Sequence, residues 1–264
     1  MRYISQATYA QRPRHRRVTK RFLLFITIAL IAAAGLFLIS RAFPIEISRA
    51  ADGQMAQHGD VKGVTEIIAP GGDGPVKVIV DAGHGGADMG TTGVSTGRLE
   101  KEVNLEIAKK LQAVLEEKGY IVIMTRETDD MIAPSKEEDM HKRESIIRDS
   151  HADIFVSVHQ NFFEGGSGAK GPQVFYRDRA AKGYELAQYV QDALNQQLGI
   201  KNPRDVNAGD YQLLRPGDQA SVIVECGFFS NPEEEQKLQK DDYQQSIANA
   251  VGDGIEQYLA KKGR

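Results

Sequence analysis

The chain has 264 residues, enough for one sizeable domain with some additional length, and 41% of them are hydrophobic. Its formal net charge is −3, but the charge is unevenly distributed, because residues 1–21 include seven Lys or Arg and no acid. From residue 22 onward the chain has 26 basic and 36 acidic residues. This acidic main part argues against a nucleic-acid partner, which requires a basic patch, and the single cysteine, Cys226, excludes an intramolecular disulfide.

Residues 22–41 are predicted to form a transmembrane helix. Phe22–Ile39 is an 18-residue apolar run with two interruptions, close to the ~20 residues that cross a ~30 Å hydrocarbon core. The basic segment 1–21 before it predicts a cytoplasmic amino terminus and an exported main domain. We expect an uncleaved anchor, because the apolar core of a signal peptide is usually only ~7–15 residues long. Cleavage near Ser48-Arg49-Ala50, which would release the protein, is the alternative.

Residues 42–75 are rich in Gly, Asp and Pro and predict a flexible linker, so that one folded domain occupies residues 76–264. Within that domain, strand patterns alternate with helix patterns. The predicted strands are Lys77–Asp81, Tyr120–Met124, Ile154–Val158, Gln173–Tyr176, Tyr211–Leu214 and Ser221–Glu225. The predicted helices are Glu102–Glu117, Asp139–Ser150, Ala180–Leu198, one that starts at Asn231-Pro232-Glu233, and Asp241–Ala260.

This alternation favours an α/β fold, with a mostly parallel twisted sheet of about six strands and helices on both of its faces. The strands read as short Val- and Ile-rich runs, as expected where a sheet is covered on both sides. With the amino-terminal segment, the predicted architecture is one transmembrane helix followed by this α/β domain.

Four polar side chains come at or near the carboxyl ends of the apolar strands. His84, His159 and Glu225 each follow or close such a strand, and Glu100 lies between the first strand and the first helix. The carboxyl ends of parallel strands meet at one edge of a sheet, where α/β proteins bind their ligands. We therefore expect these four side chains to converge.

The chemistry of these side chains suits a metal-assisted hydrolysis. A catalytic zinc ion usually takes three ligands from His, Glu and Asp, and His84, Glu100 and His159 offer such a set. A further carboxylate is then needed to move protons, and Glu225 could do so. The spacing leaves alternatives open, because Glu100 could be an ordinary acid at a helix start and another divalent ion could replace zinc. The sequence contains no P-loop motif and no H-E-x-x-H motif.

Several motifs in the same order resemble one family. DAGHGGADMGTTG (81–93), GRLEKEVNLEIAKKL (97–111), MTRETD (124–129), ADIFVSVHQN (152–161), GPQVFY (171–176) and VIVECGFFSNPEE (222–234) are similar to motifs of the zinc-dependent N-acetylmuramoyl-L-alanine amidases of the type 3 family. The resemblance runs from about Val78 to the last helix. This chain departs from the family pattern at Ala82, where Pro is usual, and at Gln160, where Ala is frequent.

The resemblance implies hydrolysis of the amide between N-acetylmuramic acid and L-alanine in peptidoglycan. The substrate would be glycan strands carrying stem peptides. By motif position, His84, Glu100 and His159 would bind one Zn²⁺ ion, and Glu225 would be the catalytic base and acid. Ser157 and Asn161 flank His159 in the family pattern, and each would either orient the imidazole or form a structural hydrogen bond.

Two arginines also lie in family motifs. Arg126 and Arg143 are interpreted either as members of ion pairs, with Asp129 or Glu144, or as substrate contacts. Cys226 directly follows Glu225 and is expected to be a buried core thiol rather than a nucleophile.

The layout of one catalytic domain behind a membrane segment resembles the spore-cortex amidases of endospore-forming bacteria. This implies a role in cortex maturation and formation of muramic δ-lactam, with an activator protein as a candidate partner and the domain anchored at the membrane facing the wall or cortex. The alternatives are an amidase of vegetative wall turnover or cell separation, a catalytically silent peptidoglycan-binding module, and a zinc deacetylase or carboxypeptidase.

Overall fold

The computed structural model describes residues 74–179 and 181–264. The predicted basic segment 1–21 and membrane segment 22–41 lie outside this part of the chain, as does the linker except for its last two residues. Across the described residues, no helix combines the length and the apolar character needed to cross a membrane.

The described residues form six strands and five helices. The strands are β1 (Lys77–Ala82), β2 (Ile121–Met124), β3 (Ile154–Asn161), β4 (Gln173–Tyr176), β5 (Asn207–Ala208) and β6 (Ala220–Phe228). The helices are α1 (Glu100–Glu117), α2 (Lys136–Asp149), α3 (Gly183–Gln197), α4 (Pro232–Leu238) and α5 (Asp241–Lys261), and a 3₁₀ turn covers Gln212–Leu214.

All six strands belong to one sheet with the order β2-β1-β3-β6-β4-β5. Neighbouring strands are parallel except for β4 and β6, which are antiparallel. The prediction of a mostly parallel α/β sheet of about six strands is therefore confirmed. Because β1, β3 and β6 are adjacent and parallel, the residues at their carboxyl ends lie along one edge.

Side-chain alternation along these strands builds a core on each face of the sheet. On one face Val78, Val80, Val156 and Val222 pack with the apolar sides of α1, α3, α4 and α5. On the other face a smaller core joins side chains of the sheet, α2 and the 3₁₀ turn: Ile79, Phe155, Phe175, Ile223, Ile147, Leu213 and Leu214. Helices thus cover both faces, as predicted, but very unequally.

The prediction of a strand over Tyr211–Leu214 is wrong. Leu213 and Leu214 are consecutive and both buried, at 7% and 4% exposure, which a strand with alternating faces does not allow. The chain instead closes a 3₁₀ turn, in which the Leu214 backbone N–H donates to the Tyr211 carbonyl oxygen over 3.1 Å. The short strand of this region is Asn207–Ala208, which pairs with β4.

Two helices begin earlier than predicted. Helix α1 begins at Glu100 rather than Glu102, and α2 begins at Lys136 rather than Asp139. Ser135 is the N-cap of α2, because its hydroxyl accepts a hydrogen bond from the Glu138 backbone N–H. The earlier start of α1 has a consequence for the site, since it places Glu100 in the first helical turn.

Candidate metal centre

His84 follows β1 in an uncommon backbone conformation. Its φ is +64°, a left-handed value that costs free energy in a residue other than glycine and that concentrates at functional sites. The Nδ1 atom lies 2.9 Å from Asp88 Oδ2, and Nε2 lies 3.3 Å from Glu100 Oε1. The contact with Asp88 fixes the ring and leaves Nε2 available toward Glu100, the arrangement by which a carboxylate orients a metal-binding imidazole.

Glu100 is almost fully buried, at 2% exposure, and its two oxygens have different surroundings. Oε2 accepts hydrogen bonds from the Thr91 backbone N–H at 2.8 Å and the Thr91 hydroxyl at 2.9 Å. Oε1 instead lies 3.0 Å from His159 Nδ1, in addition to the nearby His84 nitrogen. Burial by itself would raise the pKa of Glu100, but the two histidines hold that pKa far below its usual range. Glu100 therefore lies in the first turn of α1, where acidic residues are common, but its carboxylate contacts the two histidines.

His159 lies in β3 with its ring against Gly83. A Cβ atom at Gly83 would clash with that ring, so only glycine permits this approach of β3 to the end of β1. The rings of His84 and His159 stand edge to face, with centroids 4.9 Å apart. Burial would lower the pKa of His159, but the hydrogen bond and charge of Glu100 outweigh it and raise that pKa to about 9. Without a cation the site thus favours a proton on His159.

The three side chains form a set of donors suited to one metal ion. One ligand atom from each of His84, Glu100 and His159 lies within 4.8 Å of the others, and no other such group of three occurs among residues 74–179 and 181–264. Two imidazole nitrogens and one carboxylate oxygen match the three-ligand pattern of catalytic zinc sites. The residues present therefore fit the ion that the sequence predicts.

Glu225 lies in β6 in register with His159 of β3, at the same edge of the sheet. It accepts no hydrogen bond at Oε2, which is buried and has no partner among the described residues. Burial raises the pKa of Glu225 to about 7, with a smaller upward contribution from Glu100 and downward ones from the histidines. A buried carboxylate oxygen without a partner is costly, which is typical of a group kept available for chemistry.

Arg143 forms ion pairs, which is one of the two interpretations of it, but with partners other than those expected. Arg143 pairs with Asp81 at 2.5 Å and Asp139 at 2.6 Å, not with Asp129 or Glu144. The cause is geometric, since Asp81 and Asp139 lie beside the buried guanidinium, whereas Lys101 pairs with Asp129 and His141 with Glu144.

Arg126 forms no ion pair with any residue that the structure describes and instead donates to the backbone carbonyl oxygens of Ala82, Gly83, Lys101 and Thr128. Both arginines therefore brace the loop that carries His84. The Ser157 hydroxyl donates to Asp81 beneath His159 rather than to the imidazole.

Asp88 and Tyr211 are among the residues at the site that were not singled out from the sequence. Asp88 lies four residues after His84 inside the first quoted motif, and this spacing could have identified it. Tyr211 had no such signal, because it reaches the site from the 3₁₀ turn. It lines a cavity of about 190 Å³ that His84 and His159 also line. Cys226, by contrast, is buried as predicted, and burial raises the pKa of its thiol.

Comparisons with known proteins agree with this architecture. A family model described as N-acetylmuramoyl-L-alanine amidase matches residues 78–257. The germination-specific N-acetylmuramoyl-L-alanine amidase of Bacillus subtilis is 34% identical over 194 residues, which cover 70% of this chain and 81% of that protein.

Solved structures give the same result. The CwlD amidase of Clostridioides difficile, whose structure was determined in complex with the GerS lipoprotein, superposes with a TM-score of 0.68 at 36% identity. The match covers 70% of this chain and 99% of the CwlD chain. The amidase AmiC2 of Nostoc punctiforme superposes with a TM-score of 0.62 at 32% identity, covering 72% of this chain and 99% of its own.

Proposed function

The chain belongs to the N-acetylmuramoyl-L-alanine amidase family, and we propose that it hydrolyses peptidoglycan with one zinc ion and Glu225 as the proton carrier. The bond cleaved joins the lactyl carbonyl carbon of N-acetylmuramic acid to the nitrogen of L-alanine. The observation that carries the zinc assignment is the convergence of His84, Glu100 and His159.

The ion would be held by these three side chains. When bound, Zn²⁺ polarises the substrate carbonyl and lowers the pKa of a water molecule. Thr91 anchors one oxygen of Glu100, and Asp88 fixes the ring of His84, so two of the three ligands are oriented before any ion arrives.

Glu225 supplies the proton transfers. Its partnerless Oε2 takes a proton from the attacking water as the new C–O bond forms, and it then delivers this proton to the L-alanine nitrogen as the C–N bond breaks. A pKa of about 7 suits both halves of this cycle, because a group near neutrality can accept and return a proton at similar cost. A silent binding module would have no use for such an unpaired carboxylate.

We also propose a role in the spore cortex. Two relatives support it: the germination-specific amidase of Bacillus subtilis and the CwlD amidase whose structure contains the GerS lipoprotein. The amidase would then remove stem peptides as a step toward muramic δ-lactam, anchored by residues 22–41 on the outer side of the membrane, with a lipoprotein activator as partner. Wall turnover in vegetative cells is the alternative. Deletion of the gene should remove muramic δ-lactam from spores; unchanged lactam would favour vegetative turnover.

The experiment for the chemistry is mass spectrometry of purified peptidoglycan after incubation with the full chain. We expect free stem peptides that begin at L-alanine, lost after chelation and restored by zinc. Metal analysis of protein purified without added metal identifies the natural ion. Release of acetate or D-alanine instead would indicate a deacetylase or a carboxypeptidase.

Glu225→Gln provides the matched control, because it keeps the side-chain volume but removes the base. It should bind zinc normally and release no peptide. Undiminished activity in this variant would remove Glu225 from the mechanism.

A further inference from the structure

Tyr211 is held rigidly at the edge of the cleft. Its ring contacts Phe175 edge to face, with centroids 5.4 Å apart. On another side it packs so closely over Gly209 that a Cβ atom there would clash with it. The 3₁₀ turn that follows fixes its backbone through the hydrogen bond from Leu214. An aromatic ring fixed in this way has little freedom left to lose when a ligand binds.

The strand register places Tyr211 on the same side of the sheet as Glu225. Phe175 of β4 pairs with Ile223 of β6, and both side chains belong to the smaller core. Glu225 lies two residues after Ile223 and therefore projects from the same face. The Tyr211 ring, in contact with Phe175, thus lies on the face of the sheet from which Glu225 projects. Its position on the cavity lined by His84 and His159 agrees with this placement.

The Tyr211 hydroxyl has no use within the described part of the chain. Tyr211 is 36% exposed, and its hydroxyl forms no hydrogen bond with any described residue. Burial, together with the charge of Glu225, raises the pKa of Tyr211 above its ordinary value. The hydroxyl therefore keeps its proton at neutral pH and remains a donor without an acceptor among the described residues.

The position relative to Glu225 indicates which part of the substrate meets this donor. In the proposed mechanism Glu225 gives its proton to the leaving nitrogen, so the L-alanine end of the scissile amide must lie on the Glu225 side of the cleft. Tyr211 is on that side as well. The stem peptide on that side offers carbonyl oxygens, which are hydrogen-bond acceptors.

We propose that Tyr211 is a binding residue for the stem peptide, its hydroxyl donating a hydrogen bond to a carbonyl oxygen on the L-alanine side of the scissile bond. This inference rests on the proposed amidase mechanism. It makes Tyr211 a determinant of specificity for the peptide rather than for the glycan.

Two measurements on Tyr211→Phe test the proposal. Steady-state kinetics on a soluble muropeptide should show a roughly fivefold to tenfold loss of kcat/KM, the usual effect of one hydrogen bond, mostly as a higher KM. Calorimetric titration with a synthetic peptide, in which L-alanine is followed by γ-linked D-glutamate, should show the same loss of affinity. The titration involves no turnover and needs no active enzyme.

Tyr189→Phe is the matched control. Tyr189 lies on α3 against Tyr258, away from the cleft, so this variant should bind the peptide like the unmodified chain. Equal peptide affinity of Tyr211→Phe and the unmodified chain, or no peptide binding by either, would overturn the proposal. If the peptide binds in a way that depends on Tyr211 but the chain releases no stem peptides, the binding role of Tyr211 stands and the amidase mechanism is overturned.

Discussion

At the scale of single residues, Glu225 carries a cost that depends on pH. Its pKa of about 7 in the folded domain lies above the ordinary glutamate value of 4.5. Below the ordinary value, both the folded and the unfolded chain hold the proton, and Glu225 contributes nothing to the pH dependence of stability. Between pH 4.5 and about pH 7 the unfolded chain loses this proton while the folded domain still holds it, so the stability of the fold decreases as pH rises. Above about pH 7 the stability stays at its lower value.

Glu225→Gln should therefore stabilise the metal-free protein at high pH. In the presence of a chelator, the melting temperature of this variant minus that of the unmodified chain should grow between about pH 5 and about pH 8. Glu117→Gln, at an exposed position on α1, should give a flat difference. A flat difference for Glu225→Gln would mean that the carboxylate is charged throughout.

Asn104 and Gln160 form a second layer around Glu100. The Asn104 side-chain amide donates to Glu100 Oε1 at 3.3 Å and to the Gly83 carbonyl oxygen at 3.2 Å. The Gln160 side-chain amide in turn donates to Asn104 at 3.1 Å, while its backbone N–H donates to Glu100 Oε1. Gln160, a departure from the family pattern, thus takes part in orienting the carboxylate.

Removal of this layer should weaken metal binding. We expect Asn104→Ala to reduce zinc affinity by roughly 10- to 100-fold, the usual effect of losing such a supporting partner, and Gln160→Ala to reduce it less. Competition with a chromophoric chelator measures this without any assay of activity. Gln112→Ala is the control, because Gln112 lies on the same helix and its side chain donates to exposed Glu116. Unchanged affinity in Asn104→Ala would show that Thr91 and the Gln160 backbone are enough to position Glu100.

At the scale of elements, β1 and β3 meet at a contact that only glycine allows. Gly83→Ala should displace the His159 ring, and activity should fall by about 100-fold, because a shift of about 1 Å at a reacting group has effects of that size. Zinc affinity should fall with it. Gly168→Ala is a matched control, since a Cβ there meets nothing within 4 Å and the backbone is not left-handed. Full activity in Gly83→Ala would mean that β3 can move away.

The elements also show what could be predicted from the sequence. Strands β1, β3 and β6 were predictable because each is a continuous apolar run ending in a polar group, and the parallel sheet then brings His84, His159 and Glu225 to one edge. The 3₁₀ turn was not predictable, because Tyr-Gln-Leu-Leu fits an alternating strand pattern as well as a turn. The partners of Arg143 were also missed, because its contact with Asp81 joins positions 62 residues apart and depends on how α2 packs.

At the scale of the whole molecule, the metal would join three separate parts of the fold. Its ligands come from the loop after β1, the start of α1 and the end of β3, and His159 lies 59 residues after Glu100. An ion that binds only the folded domain stabilises it by about 2.7 kcal/mol at a free concentration 100 times Kd. The metal is therefore expected to contribute substantially to stability.

Chelation should lower the melting temperature of the full chain, and added zinc should restore it. His84→Ala should abolish this zinc-dependent shift, whereas His141→Ala, an exposed histidine on α2, should preserve it. Because His159 must lose its proton to bind an ion, the apparent affinity should fall by roughly tenfold per pH unit as pH drops below about 9. Equal melting temperatures with and without zinc would contradict the assignment.

The order of the strands has a consequence for biosynthesis. Glu225 lies in β6, the last strand of the chain, yet β6 inserts between β3 and β4 inside the sheet. Synthesis proceeds from the amino terminus, so His84, Glu100 and His159 emerge well before the residue proposed to carry the proton. A chain that is still being synthesised therefore holds the candidate metal ligands but not Glu225. The site can be complete only after the whole domain has been released and has folded.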